Sequence, residues 1–253
     1  MGRVISVSNQ KGGVGKTTTT VNVAAFLAEM GRKVLIMDID PQGNAGYGIG
    51  INAEEINTTL YEVLIGEIAL KDALFKSNIE NLYLVPSNIH LSGAQVDLLD
   101  MEGKEYILRK ALKDVKNDFD YIFIDCPPSL GILTLNSLVA ADTVLIPLQC
   151  EYYALEGLSQ LLRIIAMVQE NLNRSLKVEG VVLTMYDPRT NLSQQVVNDV
   201  REYFGDKVFK TIIPRNVKLS EAPSFGQPIG VYDRASSGSR TYENLAKEVI
   251  RNG

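Results

Sequence analysis

Residues 3–9, RVISVSN, alternate apolar and polar side chains and run straight into Gln10-Lys11-Gly12-Gly13-Val14-Gly15-Lys16-Thr17-Thr18. A strand, a glycine-rich turn and Gly-Lys-Thr at the mouth of a helix leave few folds open. The glycines let the backbone curl until successive N–H groups point inward, and the positive end of the helix adds to that field. Such a cradle suits the phosphates of a nucleoside triphosphate. Lys16 supplies a point charge for the β- and γ-phosphates, and the Thr17 hydroxyl suits Mg²⁺.

The usual spacing places a glycine five residues before Gly15. Here that position is Gln10, and a second lysine, Lys11, follows it, with Gly12 and Gly13 behind. Lys11 has no evident task in its own phosphate site. It could reach the phosphates of a second copy met face to face. In an ordinary loop it would be a solvated charge.

Strand-like runs lie at 4–9, 33–39, 82–87, 121–126, 143–148, 178–185 and 207–213. Several are continuously apolar, as central parallel strands covered on both faces are. Helical periodicity fills 16–30, about 59–75, 104–117, 132–140, 155–172, 191–204 and 239–251. The alternation predicts an α/β fold: a doubly wound, mostly parallel sheet flanked by helices, of the P-loop NTPase type. Right-handed crossovers then collect the strand C-termini, and the ligands, on one edge. The chain has 253 residues, within reach of one domain spanning 1–253. The segment 214–240, rich in Pro, Gly and Ser, reads as a long functional connection.

Three carboxylates end strands on that edge. Asp125 closes YIFID and can hold Mg²⁺ directly or through water; capping the next turn is its blander use. Asp38 and Asp40 end the second strand and point the same way. Gly43 and Gly46 make the following loop mobile enough to follow a γ-phosphate, beside which a carboxylate can orient water for in-line attack.

Hydrophobic residues make up 45% and charged residues 22%, ordinary for a globular protein. No apolar run reaches the roughly 18 residues that span a bilayer. The N-terminus enters a strand directly, so no signal peptide is expected. Cys126 and Cys150 lack any metal-ligand spacing and read as buried thiols of a reducing compartment. His90 has no nucleophile motif around it. The net charge of −5 argues against nucleic-acid binding unless a local patch, or one completed by a dimer, supplies it. Arg189, Arg215 and Lys218 are candidates, although composition alone reads them as scattered solvated charges.

KGGVGKTT resembles the deviant Walker A motif of the ParA/MinD superfamily of ATPases. DIDPQGNA at 38–45, IDCPPSLG at 124–131, QCEYYALEGL at 149–158, LTMYDPRTN at 183–191 and IPRNVKLSEAPSFGQPI at 213–229 resemble the chromosomal ParA group known as Soj. They cover nearly the whole chain in order. The resemblance implies an ATP- and Mg²⁺-dependent partitioning ATPase, cytoplasmic and nucleoid-associated. ATP would drive a sandwich homodimer that binds double-stranded DNA without sequence preference, and a ParB-type centromere-binding partner would stimulate hydrolysis. Lys11 would act across the dimer, Asp40 would position water, and Asp38 would support Lys16 or the Mg²⁺ shell. Pro214 and Asn216 would contact adenine. Arg189 and Lys218, with Arg215 as a weaker addition, would contact DNA.

Two other readings share the phosphate loop. A membrane-cycling regulator of the MinD type ends in a basic amphipathic helix, whereas the last twelve residues here, YENLAKEVIRNG, carry two acids and no bulky aromatic apolar face. An electron-donating ATPase like the nitrogenase iron protein needs cysteines placed to bridge a cluster, and that spacing is absent.

Overall fold

The computed structural model describes residues 2–52, 56–151 and 154–252. Chain order is β1 (Arg3–Val7), α1 (Lys16–Glu29), β2 (Val34–Asp38), α2 (Asn44–Tyr47), α3 (Leu60–Leu64), β3 (Phe75–Lys76) and β4 (Leu82–Val85). Then follow α4 (Leu91–Asp97), α5 (Ile107–Ala111), β5 (Tyr121–Asp125), α6 (Ile132–Ala140), β6 (Thr143–Gln149), α7 (Ala154–Asn171) and β7 (Lys177–Thr184). The chain closes with α8 (Asn191–Phe204), α9 (Val217–Glu221), α10 (Ile229–Tyr232) and α11 (Ser237–Asn252). The sheet order is β3-β4-β2-β5-β1-β6-β7, parallel except for the short edge strand β3.

Alternation along the strands divides the core into two layers. Val4, Leu35, Met37, Ile122, Ile124, Val144 and Ile146 face one layer, packed by α3 to α8. Ile5, Val7, Ile36, Phe123 and Leu145 face the other, where α1 and α11 lie. Helix α1 is buried almost all round, because α11 covers its outer side with Tyr242, Leu245, Ala246 and Val249. The phosphate loop is thereby fixed to a helix sandwiched between sheet and α11.

Four expectations are corrected. The run at 207–213 is not a strand of the sheet. It meets β7 at an isolated bridge, where Val208 pairs with Val181 and the Phe209 N–H donates to the Val181 carbonyl at 2.9 Å, and again where Ile213 N–H donates to the Leu183 carbonyl at 2.8 Å. Between these points the N–H groups of Lys210 and Thr211 donate to the Glu248 carboxylate of α11, at 2.8 and 2.9 Å, so β7 cannot claim them. The helix expected over 59–75 stops after one turn. Thr59 and Glu62 form a capping box at its start, and Gly66, at φ 83°, ends it. The helix expected over 104–117 is shortened to α5, with 3₁₀ turns on either side. The connection at 214–240 is not irregular throughout: it carries α9 and α10.

Candidate active site and its cationic flank

The strand register assembles the site. Val7 and Asp38 are both register partners of Asp125, so β1, β2 and β5 end level with one another. The loop from β1 to α1 crosses this edge. Gly13 and Gly15 hold φ values of 72° and 89°, which side chains with a Cβ avoid. The loop is tied to itself and to the two neighbouring strands β6 and β7. Asn9 accepts from the Lys11 N–H at 3.0 Å and donates to the Pro147 carbonyl of β6 at 2.7 Å. The Thr184 hydroxyl of β7 donates to the Val14 carbonyl at 2.9 Å. Gly12 has no packing reason to be glycine: a Cβ there would meet only Pro128, at 3.8 Å. The space it leaves faces outward.

The two lysines of the loop point to different fates. Lys16 is buried, and its ammonium donates to the Lys11 carbonyl at 3.2 Å. Burial lowers its pKa, while the charges of Asp125 and, more weakly, Asp40 push back. The Lys11 side chain, 40% exposed, leaves the phosphate cradle and pairs with Glu151 at 2.5 Å. Glu151 is also held by the Gln149 amide.

Asp125 is buried and accepts from Thr17 at 2.6 Å and from Thr20 at 3.0 Å. Burial raises its carboxyl to about 6 against the pull of those two hydroxyls and Lys16. Asp38, fully buried beside it, is raised well above the usual carboxylate range, first by burial and then by Asp125. Its oxygens accept the N–H groups of Asp40 and Ala45, at 3.0 and 2.9 Å. Asp38 thus holds the 38–45 loop in place, and Lys16 makes its hydrogen bond elsewhere. Asp40 is 8% exposed; its Oδ1 accepts the Gln42 N–H at 3.0 Å, and its carbonyl accepts from Ser87 at 2.7 Å.

Asp125 and Asp40 both act on the buried Lys16 ammonium, and their charge makes a field that attracts a cation. Among the described residues no group of three or more Asp, Glu, His or Cys side chains forms a ready metal cage. Mg²⁺ keeps most of its water and takes few protein ligands beside phosphate oxygens. Thr17 is the available oxygen, with Asp125 directly behind it.

Cys126 lies beneath the site, its sulfur among the hydroxyls of Ser8 and Ser137 at 3.1 and 3.0 Å. Burial raises both thiols, Cys150 to about 11, so neither is a thiolate at neutral pH. Tyr152 and Tyr153 of the 149–158 stretch lie outside the described residues.

The other candidates gather on a flank beside β7. Met185 takes φ 53°, an uncommon backbone for a long side chain, one residue past the Thr184 tie to the phosphate loop. Tyr186 then bridges to Pro214, and the Arg215 N–H donates to the Tyr186 carbonyl at 2.9 Å. This bridge sets the turn carrying Arg189 next to the segment carrying Arg215 and Lys218. Asn216 caps α9: its Oδ1 accepts the Lys218 N–H at 2.8 Å, and its Nδ2 donates to the Ser237 hydroxyl at 2.7 Å. Thr20, Ser87, Glu151 and Thr184 escape sequence reasoning. Only Thr20 carried a signal, a hydroxyl one helical turn after Lys16.

Fold and site together define a P-loop ATPase of the ParA/MinD superfamily. A family model described as AAA domain matches residues 2–178. The sporulation initiation inhibitor protein Soj of Bacillus subtilis (strain 168) is 54% identical over 253 residues, covering 100% of both chains. The chromosome-partitioning ATPase Soj of Treponema pallidum (strain Nichols) is 53% identical over 250 residues, 99% of this chain and 98% of that one. Among solved structures, cobyrinic acid a,c-diamide synthase of Mycobacterium smegmatis with bound ADP and magnesium superposes with a TM-score of 0.87. It is 41% identical, over 99% of this chain and 95% of the other. The chain belongs to the Soj/ParA family of chromosome-partitioning ATPases.

Proposed function

We propose that this ATPase is an ATP-timed DNA clamp made of two copies of the chain. ATP and Mg²⁺ bind at the phosphate loop, and two copies then meet face to face. The observation that carries this reading is the division of labour between the lysines. Lys16 is buried in its own cradle, while the half-exposed Lys11 side chain leaves that cradle for an exposed ion pair with Glu151. In a face-to-face pair, Lys11 meets the phosphates bound by the other copy. Pairing therefore depends on phosphate charge and loosens when the γ-phosphate leaves.

Thr17 would hold Mg²⁺, with Asp125 orienting Thr17 and the metal's water. Asp38 braces that shell by fixing the loop that starts at Asp40. When bound, Mg²⁺ neutralises charge that develops on the transferred phosphoryl group. Asp40 orients the attacking water, its backbone held still by Asp38 and Ser87. Pro214 and Asn216 lie at the adenine end, where Asn216 would exchange its Ser237 bond for the base.

Arg189, Lys218 and Arg215 take DNA phosphates, independent of base sequence and weakened by salt. Each copy has few such contacts, so pairing doubles them and makes DNA binding a readout of ATP state. A ParB-type protein then stimulates hydrolysis and resets the cycle on the nucleoid. Among the described residues no helix is long and apolar enough to cross a membrane.

The test is DNA binding by purified Asp40→Ala at low and moderate salt, with ATP–Mg²⁺ against ADP–Mg²⁺ and liposomes in parallel. ATP-dependent, salt-sensitive DNA binding without lipid binding is expected. Lipid binding without DNA binding would move the chain to the membrane-cycling class.

A further inference from the structure

Each paired cation of the proposed DNA face is held by an anchored acid of the same chain. Asp187 grips Arg189 with both oxygens: Oδ1 accepts from Nε at 2.9 Å and Oδ2 from Nη2 at 2.6 Å. Oδ1 also accepts the Arg189 backbone N–H at 3.0 Å, which fixes the carboxylate within its own turn. The Asp187 side chain is 17% exposed and that of Arg189 is 84% exposed. Lys218 lies 2.9 Å from Glu221, whose same oxygen accepts from the Tyr232 hydroxyl at 3.0 Å. The Lys218 ammonium also stands 5.7 Å from the centre of the Tyr232 ring. Arg189, and to a smaller degree Arg215, pull the Asp187 carboxyl down to about 2, so it stays charged across the working pH range.

A carboxylate and a phosphate present the same paired oxygens to a guanidinium. DNA must therefore take these cations away from acids already in place. Deepening the DNA reading given above, on which this rests, we propose that Asp187 and Glu221 are internal counter-ions that set the affinity of the Arg189–Lys218 face for DNA phosphates. They offset much of the cationic charge of a single copy. One copy of an acidic chain then binds DNA too weakly to matter, and the doubled face of a pair crosses the threshold. The acids make DNA binding answer to pairing.

The test uses the full chain and a duplex of unrelated sequence, measured by fluorescence anisotropy from about 50 to about 200 mM salt. Asp187→Asn keeps an acceptor for the Arg189 N–H, and Glu221→Gln keeps its size. Each should tighten ATP-state binding by roughly two- to fivefold, the range of an exposed ion pair, and the double variant by about tenfold. Binding with ADP–Mg²⁺ should then become measurable. Unchanged or weaker binding by both would overturn the proposal, because the acids would then serve only to orient the cations. Arg189→Ala and Lys218→Ala separate the two kinds of failure. If they lose DNA while the acid variants gain nothing, the DNA face stands and the counter-ion role falls. If they bind like the parent, the face itself is misassigned.

Discussion

The phosphate cluster and the cationic flank lie on adjacent stretches of one sheet edge, yet they are built by opposite rules. In the cluster, Asp38, Asp125, Lys16 and Thr20 are buried, and each spends its hydrogen bonds on a named partner within the chain. On the flank, Arg189, Lys218 and Arg215 are exposed, and the ion pairs of Arg189 and Lys218 are ones that solvent or a phosphate can replace. A buried cluster fixes geometry for chemistry, because an unmatched charge there is costly. An exposed flank can be switched, because its pairs are individually weak. Substitutions should therefore fail differently in the two regions.

The largest effect should come from Lys16→Ala. It removes what is, among the described residues, the only buried cation beside Asp125, so ATP turnover should fall at least about a hundredfold in a phosphate-release assay. Near-normal turnover would mean that another cation serves the phosphates. Asp40→Ala should lower turnover by a similar order, about a hundredfold, while a filter-binding assay still finds ATP held. Loss of ATP binding in that variant would assign Asp40 to the cradle and not to water.

On the flank the effects are smaller and salt-dependent. Arg189→Ala should leave ATP-dependent pairing intact and weaken DNA binding several-fold at moderate salt. The slope of log affinity against log salt should fall by about 1. A change in pairing as well would show that the flank is not separate from the interface.

The smallest effect concerns Asp125. Its carboxyl is raised to about 6 in the folded chain from an ordinary value of 3.8. The folded state therefore holds this proton more tightly than the unfolded one. Its contribution to stability is complete below about pH 4 and is lost as pH rises through about 6. Asp125→Asn should melt a few degrees above the parent at about pH 7.5 without nucleotide, and the gap should close by about pH 4. A gap that widens on acidification would contradict the burial argument.

How far the sequence could be read follows the same division. The cluster was legible, because a glycine turn with Gly-Lys-Thr and strand-ending aspartates leave little freedom. Asp38 shows the limit: the alternation put it on the right edge, but only the folded chain reveals that both its oxygens are taken by the 38–45 backbone. Lys11 was marked by its place in the loop, whereas Glu151, which holds it, had no marker. The expected strand at 207–213 failed because Glu248, far along the chain, takes the N–H groups that a strand would need. On the flank, the cations were found by resemblance alone. Their neighbours Asp187 and Glu221 were in plain view without a reason to be chosen, since pairing of exposed charges is decided by turn geometry.

The direct test of the trans role for Lys11 is sedimentation of Lys11→Ala with ATP–Mg²⁺, alongside a nucleotide-binding assay on the same sample. The division of labour between the two lysines predicts a monomer that still binds ATP, while Asp40→Ala sediments as a dimer. A Lys11→Ala dimer formed normally with ATP would contradict it.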